Sequence, residues 1–386
     1  MKKKILYIGG FILPDKNAAA LRVVANAKIL SKLGYKIFFI GVSKLHVSKE
    51  ILETKKEFED FCYFEEKYPS STLDWIIKTS TLKNVKKIIG FLDKNKIDSI
   101  FVYNYPSVAF FKLLVYCKIR SIRIISDITE WYLGDQGNFI FKIVKKIDNN
   151  LRLKYLNNKV DGLICISDFL FNFYSNRRKV IKIPPLVDLA ESKWEISQSL
   201  NSEKLQFVYV GSPEMKESFD NLIISFSNLS GKFDFTFKII GITKTEILEK
   251  YINISPYIKI LGPKIKFYGR LSNWEAIQKI KQSHFFIFIR RQTLATKAGF
   301  PTKFVESLSA GTPVITNKSS NLEEFLINGK NGFFLEDVND IEKLTYQLSK
   351  ILELNNYEIR KMKEFCLESR IFDYNNYIKL FSTLLN

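Results

Sequence analysis

Lys297-Ala-Gly-Phe-Pro-Thr-Lys-Phe-Val-Glu-Ser-Leu-Ser-Ala-Gly-Thr-Pro-Val-Ile-Thr316 joins a turn, a helix and a buried strand in one short segment. Pro301 has the fixed φ that suits a first helical turn, so a helix is predicted over 302–310. Gly311-Thr312-Pro313 then ends that helix and returns the chain to a strand over 313–316. Gly299 lets backbone approach a ligand closely. The amides at the helix start, reinforced by the dipole, form an anion site whose natural occupant is a diphosphate. Glu306 falls one turn into the helix, on the face of Thr302 and Lys303, where its carboxylate can accept ribose hydroxyls. An ordinary helix packed on a sheet accounts for the apolar positions. It does not account for Gly, Pro, Lys and Glu gathered before and along it.

Upstream, His284-Phe-Phe-Ile-Phe-Ile289 is an apolar run of strand length that ends in Arg290-Arg291. Arginine at the C-terminal end of a buried strand can hold phosphate oxygens in a bidentate fork, although a solvated rim pair has the same sequence. Further out, strands at 205–210, 235–240, 265–268 and 285–289 alternate with helices at 218–229, 244–251 and 273–282, and another helix is predicted at 321–326. The first half shows the same rhythm, with strands at 5–8, 35–40, 99–103, 123–126, 162–166 and 180–183 and a helix at 18–33 closed by Gly34. This βαβα alternation predicts an α/β fold of two Rossmann-like, doubly wound domains, each a parallel sheet with helices on both faces. Pro184-Pro185 and the polar stretch 191–204 separate the two series. The expected domains are 1–190 for an acceptor and 191–370 for a donor, with a C-terminal helix over 371–386 packing back toward the first. Ligands of such sheets bind outside the strand C-termini, so a central cleft is expected to hold both substrates.

Composition excludes several classes. With 46% hydrophobic and 26% charged residues, the chain is an ordinary globular sequence. No apolar run approaches the ~20 residues that span a bilayer. The start, Met-Lys-Lys-Lys, leads directly into a strand and not into a signal-peptide apolar stretch, so the cytoplasm is expected. Cys62, Cys117, Cys165 and Cys366 are far apart and read as reduced, buried thiols. No Asp-x-Asp triplet or ligand-spaced cluster occurs, so no metal is expected. His46 sits in a polar stretch, and His284 opens an apolar strand as a structural residue. The net charge of +19 is lopsided: residues 1–190 hold 33 basic and 18 acidic side chains. A basic field gathers nucleic acid, an anionic membrane face or a phosphorylated lipid; a generally lysine-rich composition gives the same count. No nucleic-acid motif is present, so nucleic acid is not expected. Gly9-Gly10 does not extend to GxGxxG, which argues against an epimerase or dehydrogenase.

Phe300 through Ile315 resembles the donor-site helix of retaining glycosyltransferases of family 4, which adopt the GT-B fold. Val210-Gly-Ser-Pro213 with Lys216 is similar to that family's loop after the first C-terminal strand, Gly9-Gly10 with Asn17–Arg22 to its first N-terminal loop, and Asp161–Ser167 to its last N-domain strand. The resemblance implies transfer from a nucleoside-diphosphate sugar to a saccharide or lipid-linked saccharide in bacterial surface-polysaccharide or glycoconjugate synthesis. It implies retention of configuration, with no metal and no cofactor, since the nucleotide sugar is a co-substrate. The implied donor set is Gly10, Gly211, Ser212, Lys216, Arg290, Arg291, Gly299, Phe300, Pro301, Thr302, Lys303 and Glu306, with Lys216 and Glu306 also serving the chemistry. Ala298 departs from the family, which has a glutamate there. Lys297, Arg290 or Arg291 are the groups at hand to replace it.

On the acceptor side, Asp127-Ile-Thr-Glu130-Trp131-Tyr132 follows a strand and sets two carboxylates at an expected crevice edge. Asp127 and Glu130 are candidates to take the acceptor proton or position the acceptor, and Asp127 equally suits a structural cap. In retaining enzymes of this fold the departing phosphate is thought to take that proton. Finally, Phe141–Tyr155 aligns Ile143, Val144, Ile147, Leu151 and Tyr155 in one stripe, with Lys142, Lys145, Lys146, Arg152 and Lys154 largely outside it. Such a helix can lie in the headgroup plane of an anionic membrane, helped by Lys78, Lys83, Lys86 and Lys87. A helix covering a sheet has the same pattern, and both readings stand.

Overall fold

The computed structural model describes residues 3–385 except 46–47, 49, 94–96, 132–138, 177–178, 196–203 and 214–216. His46, Tyr132 and Lys216 thus lie outside the described residues. The chain forms two compact units: Met1–Leu186 with Ala298–Phe300 and Tyr374–Asn386, and Val187–Lys297 with Pro301–Asp373.

In the first unit, β1 (Lys4–Gly9), β2 (Lys36–Ser43), β3 (Lys56–Phe58), β4 (Phe61–Lys67), β5 (Ile97–Tyr103), β6 (Arg123–Ile128), β7 (Gly162–Cys165) and β8 (Val180–Lys182) form one sheet, ordered β3-β4-β2-β1-β5-β6-β7-β8. Every pairing is parallel except β3 with β4. Ile5, Leu6, Tyr7 and Ile8 are all buried, as both faces of a covered parallel sheet require. The helix Ala18–Lys32 starts where Asn17 accepts the Ala20 N–H and ends before Gly34 at φ 93°. It covers one face together with Ile378–Leu385; Lys83–Phe91 and Ser107–Ile119 cover the other.

The second unit has β9 (Leu205–Val210), β10 (Phe235–Ile240), β11 (Ile265–Phe267), β12 (Phe285–Ile287), β13 (Val314–Asn317) and β14 (Gly332–Leu335), all parallel and ordered β11-β10-β9-β12-β13-β14. Phe207 of β9 stacks on Phe285 of β12 at 5.8 Å and meets Phe226 edge-on at 5.0 Å, anchoring the helix Phe219–Leu229.

Three readings of the sequence are corrected. The helix expected at 321–326 is only a 3₁₀ turn, Leu322–Glu324, because Asn331 takes the backbone groups that would continue it: its amide donates to Phe325 O at 2.8 Å and its Oδ1 accepts the Ile327 N–H at 2.7 Å. The strand expected over 285–289 ends at Ile287. The antiparallel pair β3/β4 and the edge strand β14 were not anticipated.

Candidate functional site

In each sheet the chain first builds outward from a central strand on one side and then returns to build on the other, which leaves a switch point beside that strand. In the second unit it falls between β9 and β12. Gly211 follows β9, and a Cβ on neighbouring Gly241 would stand 2.7 Å from Gly211 O, so the two loops pack backbone against backbone. Ser212 Oγ accepts a hydrogen bond from Lys250 Nζ at 2.8 Å, bringing in a cation that sequence reasoning missed.

After β12, Arg290 bridges to Glu217 and is fixed by its own backbone: its N–H donates to Asn317 Oδ1 and its carbonyl accepts from Asn317 Nδ2, both at 2.8 Å. The side chain is 8% exposed, and its Nη1 has no hydrogen-bond partner. Burial pushes the guanidinium down to about 10, with Glu217 opposing the shift. Glu217 is itself held by the Tyr209 hydroxyl. A buried cation with an unused donor is costly unless an anion completes it. Arg291, the next residue, is exposed.

The helix Thr302–Ser309 begins at Pro301, which occupies the cap and not the first turn, and no side chain caps its amides. Thr302 is half-buried. Lys303 Nζ lies 2.5 Å from Glu306 Oε2, and Glu306 is 4% exposed. Lys303 is thus engaged by Glu306, whereas Arg290 keeps a buried N–H donor, Nη1, without a partner. Gly299 and Phe300 group with the first unit, as does the fully buried Ala298.

In the first unit the switch point lies between β1 and β5. A cavity of about 390 Å³ opens there, walled by Gly9, Gly10, Glu66, Trp75, Tyr105, Glu130 and Lys145 among others. Glu130 is exposed and lines it. Glu66, at the end of β4, is pushed up by burial, against a 2.9 Å hydrogen bond from Asn84 and the nearby Lys78. Lys145 sits 4.0 Å over the Trp75 ring, and burial lowers its pKa against the pull of Asp148. Carboxylates, aromatic faces and the cations Lys67, Lys78 and Lys145 around one cavity suit a polyhydroxylated ligand with an anionic group. Sequence reasoning missed Glu66, Trp75 and Lys145; the signal available was an acidic pair closing the apolar run Phe61–Phe64.

Asp127 is corrected. It is fully buried and does not line the first-unit cavity. Arg22 binds it through Nη2 at 2.7 Å and Nε at 3.0 Å, while the Tyr7 hydroxyl and Asn26 amide donate to its other oxygen at 2.5 and 3.2 Å. Burial opposes the Arg22 charge, but the carboxylate more than offsets this and raises its pKa. Arg22 also reaches Ile183 O at 2.9 Å, so Asp127 holds together β1, β6, the helix Ala18–Lys32 and the chain after β8. With its acceptors engaged, it is a structural group and not an acceptor base.

Residues 191–365 match the family model of glycosyl transferases group 1. An uncharacterized glycosyltransferase of Methanocaldococcus jannaschii is 27% identical over 216 residues, 54% of each chain, so the chain spans about half the length of that curated relative. Among solved structures, sucrose-phosphate synthase of Thermosynechococcus elongatus has a TM-score of 0.72 at 13% identity, covering 99% of this chain and 98% of that one. A glycosyltransferase of Rickettsia africae gives 0.66 at 16%, covering 100% and 98%, and Anabaena HepE, in complex with UDP and glucose, gives 0.64 at 15%, covering 99% of each. These likenesses show the fold: two Rossmann-like α/β domains of GT-B type.

Proposed function

We propose that this chain, whose second unit carries a glycosyl transferases group 1 domain, is a glycosyltransferase that moves a sugar from a nucleoside-diphosphate donor to a saccharide or lipid-linked saccharide acceptor. The observation that carries the reading is Arg290: a buried guanidinium with a free Nη1 at the switch point of the second unit, where an anionic ligand would satisfy it. In this reading the uncapped helix Thr302–Ser309 adds its amides to the diphosphate, and Glu306 shares its carboxylate between Lys303 and a ribose hydroxyl.

The catalytic work falls on charge developing at the leaving diphosphate, which Arg290, the helix amides and Lys216 would stabilise. The acceptor sits in the first-unit cavity, with Glu130 and Glu66 accepting its hydroxyl hydrogens. Its reacting hydroxyl loses its proton to the departing phosphate oxygen as the new glycosidic bond forms, so configuration is retained and no protein base is needed. Metal independence rests on the sequence, which has no Asp-x-Asp triplet. A role in surface-polysaccharide or glycoconjugate synthesis fits an acceptor presented at the inner face of the membrane.

The test is a melt panel of UDP, GDP, CMP and dTDP sugars, followed by NMR of the product anomer. One nucleotide is expected to raise the melting temperature, with about 2.7 kcal/mol of stabilisation at a hundred times its Kd. An inverted linkage, or transfer abolished by EDTA and restored by manganese, contradicts the mechanism; no response to any nucleotide contradicts the donor site.

A further inference from the structure

The helix Phe139–Lys154 is built the wrong way round for a helix that covers a sheet. Its buried residues are Asn149, Arg152 and Leu153, whereas Ile143, Ile147 and Leu151 are 44%, 54% and 43% exposed. A sheet-covering helix hides its apolar stripe; this one turns it outward. The neighbouring helix Ser107–Ile119 packs Ala109, Phe110, Leu113 and Cys117 on the sheet yet leaves Phe111 59% and Ile119 74% exposed on its other side, and Thr72–Thr79 buries no residue at all while Leu73 and Ile77 stand 67% and 60% exposed.

The three helices form one continuous face. Ser107 N–H donates to Asp148 at 2.6 Å, Trp75 meets Phe141 edge-on at 6.1 Å, and Lys112 Nζ donates to Ser80 O at 2.6 Å. Between Ile77, Phe111 and Ile119 runs an open groove edged by Lys83, Lys86 and Arg120. Together with Lys83–Phe91 these helices carry eleven basic side chains and two acidic ones, Asp74 and Asp148; Asp74 is already paired with Lys78 at 2.7 Å.

We propose that this face docks the first unit on an anionic phospholipid bilayer. Apolar side chains ringed by lysines match the boundary between acyl chains and anionic headgroups, with the stripe in the first and the ammonium groups in the second. Charge decides against a second copy of the chain, because two such faces would oppose each other with the same sign. Leu73, Ile77, Ile119 and Ile147 are exposed aliphatic side chains that suit acyl chains and add nothing to a nucleic-acid interface, whose affinity comes from phosphate contacts and ring stacking. Trp75, Lys78 and Lys145 of the same helices also wall the cavity at the β1/β5 switch point, which sets that cavity beside the docked surface.

The full chain is floated with vesicles of neutral phosphatidylcholine and with vesicles containing about one third phosphatidylglycerol, at low and high salt. Binding is expected to rise about tenfold or more with the anionic lipid and to fall with salt, as several near-surface lysines acting together require. Leu73→Gln/Ile119→Gln/Ile147→Gln is expected to lose most of this binding; all three sites are exposed, so the melting temperature stays within a few degrees of the unsubstituted chain. Lys83→Glu/Lys142→Glu/Lys146→Glu, a second set needing no apolar change, is expected to abolish the anionic preference. Absence of flotation with either vesicle, or binding indifferent to both sets, overturns the proposal. A dimer in solution that the glutamine set converts to monomer, with no vesicle binding, overturns it in favour of self-association. Flotation needs no sugar substrate, so its failure leaves the transferase reading standing, and failure of that reading leaves this one.

Discussion

Arg290→Met is expected to make the unliganded protein more stable and a worse binder. The guanidinium is held near 10 instead of 12.5 because it is buried without a full set of partners. At 1.36 kcal/mol per pH unit, that displacement corresponds to at most about 3 kcal/mol working against the folded state. Methionine has similar reach, fills the same space and carries no charge to desolvate, while the two Asn317 hydrogen bonds survive because they go to the Arg290 backbone. Glu217 keeps the Tyr209 hydroxyl. A net gain of about 1–3 kcal/mol follows, or roughly 2–4 °C per kcal/mol in the transition of the second unit. On the ligand side, a charged hydrogen bond contributes about 1.5–3 kcal/mol, so nucleoside-diphosphate affinity falls about 10- to 100-fold. Melts with and without nucleotide read both effects on one sample. A variant that melts lower than the unsubstituted protein and keeps the full nucleotide shift would falsify the assignment, since Arg290 would then be a structural cation.

Further expectations concern the rest of the site and the framework. Asp127→Asn leaves Arg22 buried beside a neutral amide and should destabilise the first unit by about 3–5 kcal/mol in urea unfolding; a loss under about 1 kcal/mol would show the cluster to be solvated. Glu306→Gln can no longer ion-pair Lys303 and should lower transfer about 100-fold or more with an unchanged melt, and full activity would remove Glu306 from the donor site. His284 is held down to about 4 by burial, then by Lys363 and Lys238, so the folded chain binds fewer protons than the unfolded one between that value and 6.5. Its contribution, up to about 3 kcal/mol, is complete above pH 6.5 and is lost as pH falls toward 4. His284→Asn keeps an acceptor for the Gln206 N–H and should flatten that acid limb of the stability curve; an unchanged slope would place the proton uptake elsewhere.

The strands of both sheets were legible because parallel strands covered on two faces are near-continuous apolar runs, as in Lys4–Gly9 and Leu205–Val210. β3 and β4 were not, since Lys56, Glu57, Glu65, Glu66 and Lys67 interrupt the pattern at a half-covered edge. The donor segment was readable because its residues are adjacent in sequence. Asp127 was misread for the opposite reason: Tyr7, Arg22 and Asn26 lie 120, 105 and 101 residues away, and nothing local marks a carboxylate already engaged by them. Periodicity likewise gave the stripe on 141–155 without its direction, since a buried stripe and an exposed one repeat with the same period.

The closing residues of the first unit have a consequence for the order in which the protein can be made. Tyr374, Phe381, Leu384 and Leu385 lie in the same hydrophobic cluster as Ile5, Tyr7 and Phe39, and a Leu384 methyl fills the space where a Cβ on Gly162 would be, 2.7 Å away. During synthesis the first unit therefore waits, with an open apolar trough along the helix Ala18–Lys32, until every residue of the second has been added. For that interval the second unit can complete its own sheet while the first cannot complete its core, reversing the usual N-to-C sequence of domain maturation.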